Sequence, residues 1–443
     1  MNSTTNFPLI GDVFNSMPTE NDALALPPHI FETVARAVAE HFGTDVQFDF
    51  SVTDALELAL AKYYKSNDDN FLSSVTNALA NLARDNFDQV EGGFFRVMNT
   101  RAVKRLEDNA RLLSLCLHMY QITERESFRD VSRKTVDFIN AMLYDEDGGY
   151  FYSHQEAAQD YFTRSKAARA ESAAPNVDQI LYSDANALMA SAYFEAAHVL
   201  DDPSLQSKAT SVIGTLGGEL FESGQGIYHL RKSDTNELQQ PGHLADQAYT
   251  ILAFTDAYQA SARPTYLPRA RIVAEFALEY LFDQEQGGFF GDLSASDKPL
   301  MENAVMTDAL TRLYHFTGEE KYREAARRTL IFFATALDIN SSASARYAFA
   351  VEHWLNLPLH ITIVGEANGT DTRDLLDAAL KQYASAKVIE VLDPSRDAVR
   401  LTLLGYPPPS DGAQAYICVG QACLPPVREP QQIAASIARV MRK

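Results

Sequence analysis

One short motif recurs four times along the chain, each time at the head of a long apolar run. An acid, an amide and an alanine stand together in Asp108–Ala110, Asp246–Ala248 and Glu302–Ala304, while Asn186–Ala187 keeps the amide and the alanine. The copies are about 55 to 80 residues apart, and repeats at such periods indicate a fold built from copies of one supersecondary unit.

A second motif marks the other end of each unit, where one or two glycines are followed by aromatic residues. It occurs at Gly92–Phe95, Gly148–Phe151, Gly226–Tyr228 and Gly287–Phe290. Glycine adopts positive φ without steric cost, so each motif predicts a tight turn after a helix. The aromatic side chains could stack on sugar faces, but we expect them to fill gaps between hairpins.

Apolar positions at helical spacing predict twelve helices between residues 28 and 356, in two alternating sets of six. One set is apolar on most faces, as buried helices are. Five of its members begin near Asp54, Asp108, Asp184, Asp246 and Glu302, and the sixth spans residues 344–356. The other set, for example 128–143 and 322–333, carries lysine and arginine on one side and should face solvent. The sequence therefore predicts a mainly α fold, an (α/α)6 toroid of six helical hairpins, with the inner helix N-termini and glycine loops around the mouth of a central cavity.

The pattern changes after Leu357. Strand-like segments then alternate with helix-like segments up to the C-terminus, which predicts a small α/β appendage. We therefore divide the chain into a lead-in segment (1–26), the toroid (27–357) and a C-terminal α/β subdomain (358–443).

Charge and cysteine content exclude several classes of function. A formal charge of −21 disfavours binding to nucleic acid and to anionic membrane surfaces, and no apolar run is long enough to cross a bilayer. Three cysteines suit a reducing compartment, so we expect a cytoplasmic protein. Cys418 and Cys423 could form a disulfide or half of a metal site, but no second pair of ligands lies nearby. We expect neither a metal nor another cofactor.

The acids at the inner helix heads are the candidate catalytic residues: Asp108, Asp184, Asp246 and Glu302. Glycoside hydrolysis needs one protonated and one ionised carboxyl group, and carboxylates that converge on one cavity raise each other's pKa. An epimerase or isomerase would instead use a histidine base, for which His243 is best placed. The alternative is that the acids cap helix N-termini and complement the helix dipoles.

Further residues are candidates for binding a ligand. They are Arg96, Asn109, Asn186, Gln247, Tyr249, Asn303, His353 and Trp354. Arg96 could pair with a substrate group or form a salt bridge with a neighbouring acid. The amides could line the cavity or serve in capping and in packing between hairpins, and His353 could be a core residue.

These motifs resemble the spermatogenesis-associated protein 20-like family, in which a thioredoxin-like domain precedes an (α/α)6 toroid of the six-hairpin glycosidase type. The resemblance is carried by Gly92–Arg96, Asp108–Leu113, Asn186–Met189, Asp246–Tyr249, Glu302–Ala304 and the ending Ala415–Val427. More distantly, the toroid is similar to those of N-acylglucosamine 2-epimerase and of unsaturated glucuronyl hydrolases. The resemblance begins near Leu26 and no C-x-x-C occurs, so we expect this chain to lack the thioredoxin domain.

Two functions follow from these observations. The first is an enzyme, glycoside hydrolase-like or sugar epimerase- or isomerase-like, that binds or processes a carbohydrate in an acidic cavity through carboxylate or histidine acid–base chemistry. The second is a catalytically inactive (α/α)6 scaffold that binds a ligand or a protein partner. Where the family has His-Phe-Glu-Lys, Arg101–Lys104 keeps only the lysine, so the resemblance alone does not decide between them.

Overall fold

The computed structural model describes residues 29–41, 52–98, 101–156, 159–334, 337 and 343–441. The lead-in segment 1–26 expected from the sequence lies outside these ranges. None of the helices within them is both long and apolar enough to span a lipid bilayer.

Twelve helices in the described ranges form two concentric rings. The inner helices are α2 Val52–Ser66, α4 Leu106–Thr123, α6 Ser183–Val199, α8 Leu244–Ser261, α10 Leu300–Thr317 and α12 Ser344–Leu355. The outer helices are α1 Ile30–His41, α3 Asp69–Asp85, α5 Glu126–Phe138, α7 Pro203–Gly218, α9 Tyr266–Phe276 and α11 Glu320–Ala334. Helix α12 packs on both α10 and α2, which closes the inner ring. The mainly α, (α/α)6 toroid expected from the sequence is confirmed.

The two rings differ in burial because their apolar patterns differ. In α8 the alanines Ala248, Ala253 and Ala257 are fully buried, and their small side chains let the neighbouring inner helices approach closely. In α5, Phe128 and Val136 are buried on one side, while charged residues occupy the other. An apolar stripe of this kind directs an outer helix onto the inner ring.

Within the described residues, short strands occur in the three connections that lead from an outer helix into α4, α6 and α8. They are β1 Arg96–Met98, β2 Arg101–Arg105, β3 Tyr144–Asp145, β4 Tyr150–Phe151, β5 His154–Gln155, β6 Val177–Asp178, β7 Leu181–Tyr182, β8 Phe221–Glu222, β9 Gly226–Arg231 and β10 Leu238–Pro241. They form sheets in the orders β1-β2-β5-β6 and β10-β9-β7, with β8 on β9, and a β3-β4 hairpin. Because β2 runs directly into α4 and β7 into α6, these sheets lie at the N-terminal ends of the inner helices.

The glycine loops lie at this same end. Gly92 has φ of +80° and Gly287 has φ of +82°, and a Cβ atom at either position would lie within 2.7 Å of a carbonyl oxygen of an outer helix. Only glycine fits both conditions. The aromatic residues that follow, Phe94 and Phe289, are almost fully buried, so they fill gaps between hairpins.

The C-terminal residues form a mixed sheet in the order β12-β11-β13-β14. Its strands are β11 Leu359–Val364, β12 Lys387–Leu392, β13 Gln414–Val419 and β14 Ala422–Cys423, and its helices are α13 Thr370–Leu380, α14 Ala398–Leu404 and α15 Ile433–Met441. Strand β11 is parallel to β12 and antiparallel to β13. Cys418 and Cys423 are paired across β13 and β14 and form a disulfide, the first of the two alternatives that the sequence left open. The boundaries of the three predicted segments stay a prediction.

This subdomain is docked on the C-terminal ends of the inner helices. The Gln121 side chain, in the last turn of α4, donates to the Lys381 carbonyl oxygen at 3.2 Å. The backbone N–H of Ile389 donates to Gln259 Oε1, in α8, at 2.9 Å. The subdomain therefore covers the end of the ring opposite the glycine loops.

Candidate functional site

Four predicted ligand-binding amides fasten the glycine-aromatic loops to the inner helices. Asn303 Oδ1 accepts from the N–H of Phe289 at 2.7 Å, and its Nδ2 donates to the carbonyl oxygens of Phe289 and Pro299 at 2.9 and 2.8 Å. Equivalent bonds join Asn109 to Phe94 and Arg105, Asn186 to Phe151 and Tyr182, and Gln247 to Ile227 and His243. All four amides are buried. Both N–H donors of each are used within the fold, as the packing alternative implied, and their part in ligand binding stays a prediction.

Asp108 and Arg96 form a buried ion pair. Arg96 donates to both carboxylate oxygens, at 2.8 Å from Nε and 2.5 Å from Nη2. Burial raises the pKa of Asp108 to about 7, although the hydrogen bond and the charge of Arg96 act in the opposite direction. Arg96 therefore pairs with a neighbouring acid, as one of the two alternatives had it, and its part in binding a ligand stays a prediction.

The heads of α6 and α8 bring Asp184, His243 and Asp246 together with His229, which the sequence analysis missed. Asp246 Oδ1 accepts from the N–H of Asp184 at 3.0 Å, and both Asp246 oxygens lie 3.1 Å from His229 Nδ1. The His229 and His243 rings stack, with centroids 4.8 Å apart. Burial raises the pKa of Asp246 to about 6, against its hydrogen bond with His229.

His229, His243 and Asp246 each have one potential metal-ligand atom, and these atoms lie within 4.8 Å of one another. The three could therefore hold a metal ion such as zinc. Their present geometry favours hydrogen bonding, since the two rings are almost parallel and Asp246 already binds His229.

Two further predicted residues, Glu302 and Trp354, lie apart from this group. Glu302 is half-buried at the start of α10. Trp354 is buried, with Nε1 donating to the Arg323 carbonyl oxygen at 3.4 Å and the Arg323 guanidinium 5.0 Å from its ring centroid. Neither residue lines the cavity described next.

A cavity of about 330 Å³ lies on the axis of the ring, and we call it the lumenal cavity. All six inner helices contribute to its wall, and residues of the α/β subdomain contribute at the C-terminal end of the helices. Its volume falls within the range of small-molecule sites. Among the predicted site residues, Tyr249 and His353 line it.

One part of the wall is an arginine cluster. It consists of Asp54, Arg111, Tyr249, Asp308, Arg346 and His353. Arg111 donates to Asp54 Oδ2 at 3.3 Å and to the Tyr249 hydroxyl at 2.5 Å. Arg346 lies 2.6 Å from Asp308 Oδ2 and 3.9 Å from Asp54 Oδ1. Two arginines and two aspartates thus compensate one another, which limits the cost of burying four charges.

His353 is held in this cluster by Asp308. Its Nδ1 lies 3.0 Å from Asp308 Oδ1, while its Nε2 is buried and has no hydrogen-bond partner among the described residues. Burial alone would raise the pKa of Asp308, but the charges of Arg346 and His353 lower it below its ordinary value. Asp308 is therefore an ionised partner that orients the His353 ring, as in other acid–base pairs of aspartate and histidine.

The cavity wall next to the subdomain is formed by a floor cluster. Its members are Glu57, His118, Glu195, Asp256, Arg312 and Lys387. His118 Nδ1 lies 2.8 Å from Glu57 and its Nε2 lies 3.0 Å from Glu195. Burial would lower the pKa of His118, but Glu195 and Glu57 raise it well above its ordinary value. Arg312 forms an ion pair with Asp256.

Most residues of both clusters were not predicted from the sequence, although a signal was present. Arg111, Asp256 and Asp308 are charged residues in helices that are otherwise apolar on nearly every face. A charge at such a position must either pair inside the protein or face an internal cavity.

Comparisons with known proteins agree with the resemblance noted in the sequence. No family model matches. Human spermatogenesis-associated protein 20 is 25% identical over 285 residues, which cover 58% of this chain and 36% of that protein, and the rat protein is 24% identical over 282 residues with the same coverage. The chain thus spans about a third of the length of these curated relatives.

Three solved structures share the fold at low sequence identity. D-mannose isomerase has a TM-score of 0.56 at 14% identity, covering 70% of this chain and 87% of its own. An unsaturated glucuronyl hydrolase specific for heparin has a TM-score of 0.56 at 12%, covering 74% and 96%. A GH76 α-mannanase of Bacteroides thetaiotaomicron has a TM-score of 0.57 at 10%, covering 75% and 98%. The expected likeness to six-hairpin folds is confirmed.

Proposed function

We propose that the lumenal cavity binds a sugar and that the chain acts on it as an isomerase or epimerase, with His353 moving the proton. The observation that carries this proposal is the His353 imidazole, which is oriented by an ionised aspartate, has a buried Nε2 without a partner among the described residues, and lines the same cavity as Arg111 and Arg346. A hydroxyl or C–H group entering the cavity would supply the missing partner once a small rotation of the ring opens Nε2 to the cavity.

The chemistry follows from these groups. In an open-chain aldose, His353 Nε2 would take the proton from C2, and the electron pair of that bond would move toward the carbonyl oxygen. The negative charge on that oxygen would be stabilised by Arg346 and Arg111, which are already fixed by their ion pairs. Asp308 would stabilise the imidazolium. Return of the proton to C1, with transfer of the O2 hydroxyl proton to O1, gives a ketose. Rotation of the intermediate about the C2–C3 bond, followed by return of the proton to the opposite face of C2, gives an epimer.

The alternative reaction, glycoside hydrolysis, is supported less well within the cavity. It needs a protonated carboxyl group, whereas Asp308 has a lowered pKa. Burial raises the pKa of Asp256, which also lines the cavity, but Asp256 is held in an ion pair with Arg312. Asp108 and Asp246 have raised pKa values of about 7 and about 6, as a general acid would need, but they do not line the cavity. The fold neighbours include a D-mannose isomerase and a sugar epimerase from a ruminal bacterium, which supports the first reaction by analogy of fold only.

Titration calorimetry with D-mannose, D-glucose and D-glucuronic acid tests the binding site. Arg346→Met removes an arginine of the cavity, and Arg96→Met is the matched control, because Arg96 forms a similar ion pair outside the cavity. We expect one sugar to bind the wild type and Arg96→Met, but not Arg346→Met. Tyr249→Phe, which removes only a hydroxyl, should weaken binding severalfold without unfolding the chain. Loss of binding in Arg96→Met alone would place the site at the helix heads, and absence of binding would favour the scaffold.

A further inference from the structure

The α/β subdomain contributes part of the cavity wall. Pro358, Leu380 and residues 383–388 line the lumenal cavity beside the C-terminal ends of the inner helices. The hydrogen bonds of Gln121 and Gln259 fix this segment against α4 and α8. A ligand in the cavity would therefore meet a rigid floor that belongs to the subdomain.

Lys387 is the member of the floor cluster that the subdomain contributes. Its Nζ donates to the carbonyl oxygens of Leu380 at 3.2 Å and of Gln382 at 2.5 Å. An ammonium group has three N–H donors, and the third has no partner among the described residues. Burial lowers the pKa of Lys387 to about 8, while the charge of Glu195 acts against this effect, so the group remains mainly protonated at neutral pH.

Tyr383 lines the cavity in the same segment of the subdomain and also lacks a hydrogen-bond partner among the described residues. It is 7% exposed, and its hydroxyl has no hydrogen-bond partner in the described part of the chain. Its ring packs edge-on against His118 and Tyr64, with centroids 5.0 and 5.2 Å apart. A buried hydroxyl without a partner costs about 1 to 3 kcal/mol, and a polar ligand group would remove this cost.

The charges of the floor indicate what kind of group it would bind. The floor cluster holds three acids and, with His118 protonated, three bases. The side chains of Glu57, His118 and Glu195 are 21 to 23% exposed, although they belong to helices of the inner ring. A balanced set of half-buried donors and acceptors suits an uncharged polyhydroxyl group better than a carboxylate or phosphate.

We propose that the α/β subdomain is part of the sugar site, with Lys387 and Tyr383 binding hydroxyl groups at the end of the sugar that lies against the floor. The proposal rests on the proposed function, because it takes the cavity to be a sugar site. In this proposal Lys387 and Tyr383 help to determine which sugar binds, although both lie outside the repeated motifs and the inner helix heads.

Calorimetry with D-mannose, or with D-glucose if that sugar is the one that binds, tests the proposal. Lys387→Met should weaken binding at least tenfold, because a hydrogen bond to a charged group is lost, and Tyr383→Phe about threefold. The controls are Lys381→Met, which removes a lysine that binds Asp201 and Asp377 outside the cavity, and Tyr64→Phe. Both controls should bind within twofold of wild type.

Deoxy analogues of the same sugar sharpen the test. On the wild type, one deoxy analogue should bind more weakly than the parent sugar. On Lys387→Met, the same analogue and the parent sugar should bind equally well, because the missing hydroxyl and the missing ammonium group belong to one interaction. Equal binding by wild type and Lys387→Met would overturn the proposal, as would a loss in Lys381→Met as large as in Lys387→Met. If Arg346→Met abolishes binding but Lys387→Met does not change it, the proposed function stands and the role of the subdomain fails. If none of the sugars binds, both fail.

Discussion

Removing one of the four loop-binding amides should destabilise the fold without changing the sugar site. Asn303→Ala removes three hydrogen bonds from a fully buried position. The Pro299 carbonyl oxygen keeps its bond from the Asn303 N–H, but the N–H and carbonyl groups of Phe289 each lose a partner. A buried polar group without a partner costs about 1 to 3 kcal/mol, so we expect a loss of about 2 to 6 kcal/mol in the free energy of unfolding.

Two further variants define this prediction. Asn303→Asp keeps the acceptor for the Phe289 N–H but places an oxygen against two carbonyl oxygens, so it should be at least as destabilising, and more so at a pH where the new carboxylate is ionised. Asn356→Ala is the control, because Asn356 is exposed and donates to a carbonyl oxygen of its own helix; it should cost less than about 0.5 kcal/mol.

Urea unfolding, together with calorimetry at a temperature where each variant is folded, measures both properties. We expect Asn303→Ala to unfold at a lower urea concentration and to bind the sugar with the affinity of the wild type. A loss of stability below about 1 kcal/mol would refute the hydrogen-bond reasoning. Unchanged stability with lost binding would instead make the amide a ligand residue.

Two predictions concern the buried charges. Lys104→Met leaves the buried carboxylate of Asp88 with Arg169 as its remaining ion-pair partner and should lower the free energy of unfolding by about 3 kcal/mol. Lys298→Met should lower it less, because its partner Asp283 is more exposed. Urea unfolding of the two variants measures both losses, and a larger loss in Lys298→Met would contradict the prediction. The raised pKa of His118 means that its contribution to stability is complete below its ordinary pKa of 6.5 and is lost as the pH rises through the higher folded-state value. His118→Gln should therefore lower the melting temperature more near pH 6 than near pH 9, and an equal effect at both would exclude a protonated His118.

The ring of helices could be predicted from the sequence, because the apolar pattern that assigns each helix lies within that helix. The apolar faces of α8 and the single apolar stripe of α5 are each visible within one helix, and they assign those helices to the inner and outer ring. One further repeat could have been found in the same way. Lys104 binds Asp88 and Gly92 before α4 as Lys298 binds Asp283 and Gly287 before α10, and the two sets stand at nearly the same sequence distances before Asn109 and Asn303.

The site was harder to predict because its partners are distant in sequence. The acid at a helix head can cap its own helix, bind a histidine as Asp246 does, or face a cavity, and a single helix does not distinguish these roles. His353 and Asp308 meet only when the ring is assembled. Lys387 reaches the cavity only because the subdomain covers the ends of the inner helices. A local sequence pattern does not predict this contact.

Exchange of a sugar hydrogen with solvent tests the central claim most directly. The wild type and His353→Gln are incubated with D-mannose or D-glucose in D2O, and deuterium at C2 is followed by proton NMR and mass spectrometry. We expect the wild type to introduce deuterium at C2, and His353→Gln to do so at least about a hundredfold more slowly, as the loss of a general base implies. A sugar that binds in the cavity without exchange at C2, or exchange at the wild-type rate in His353→Gln, would contradict the account.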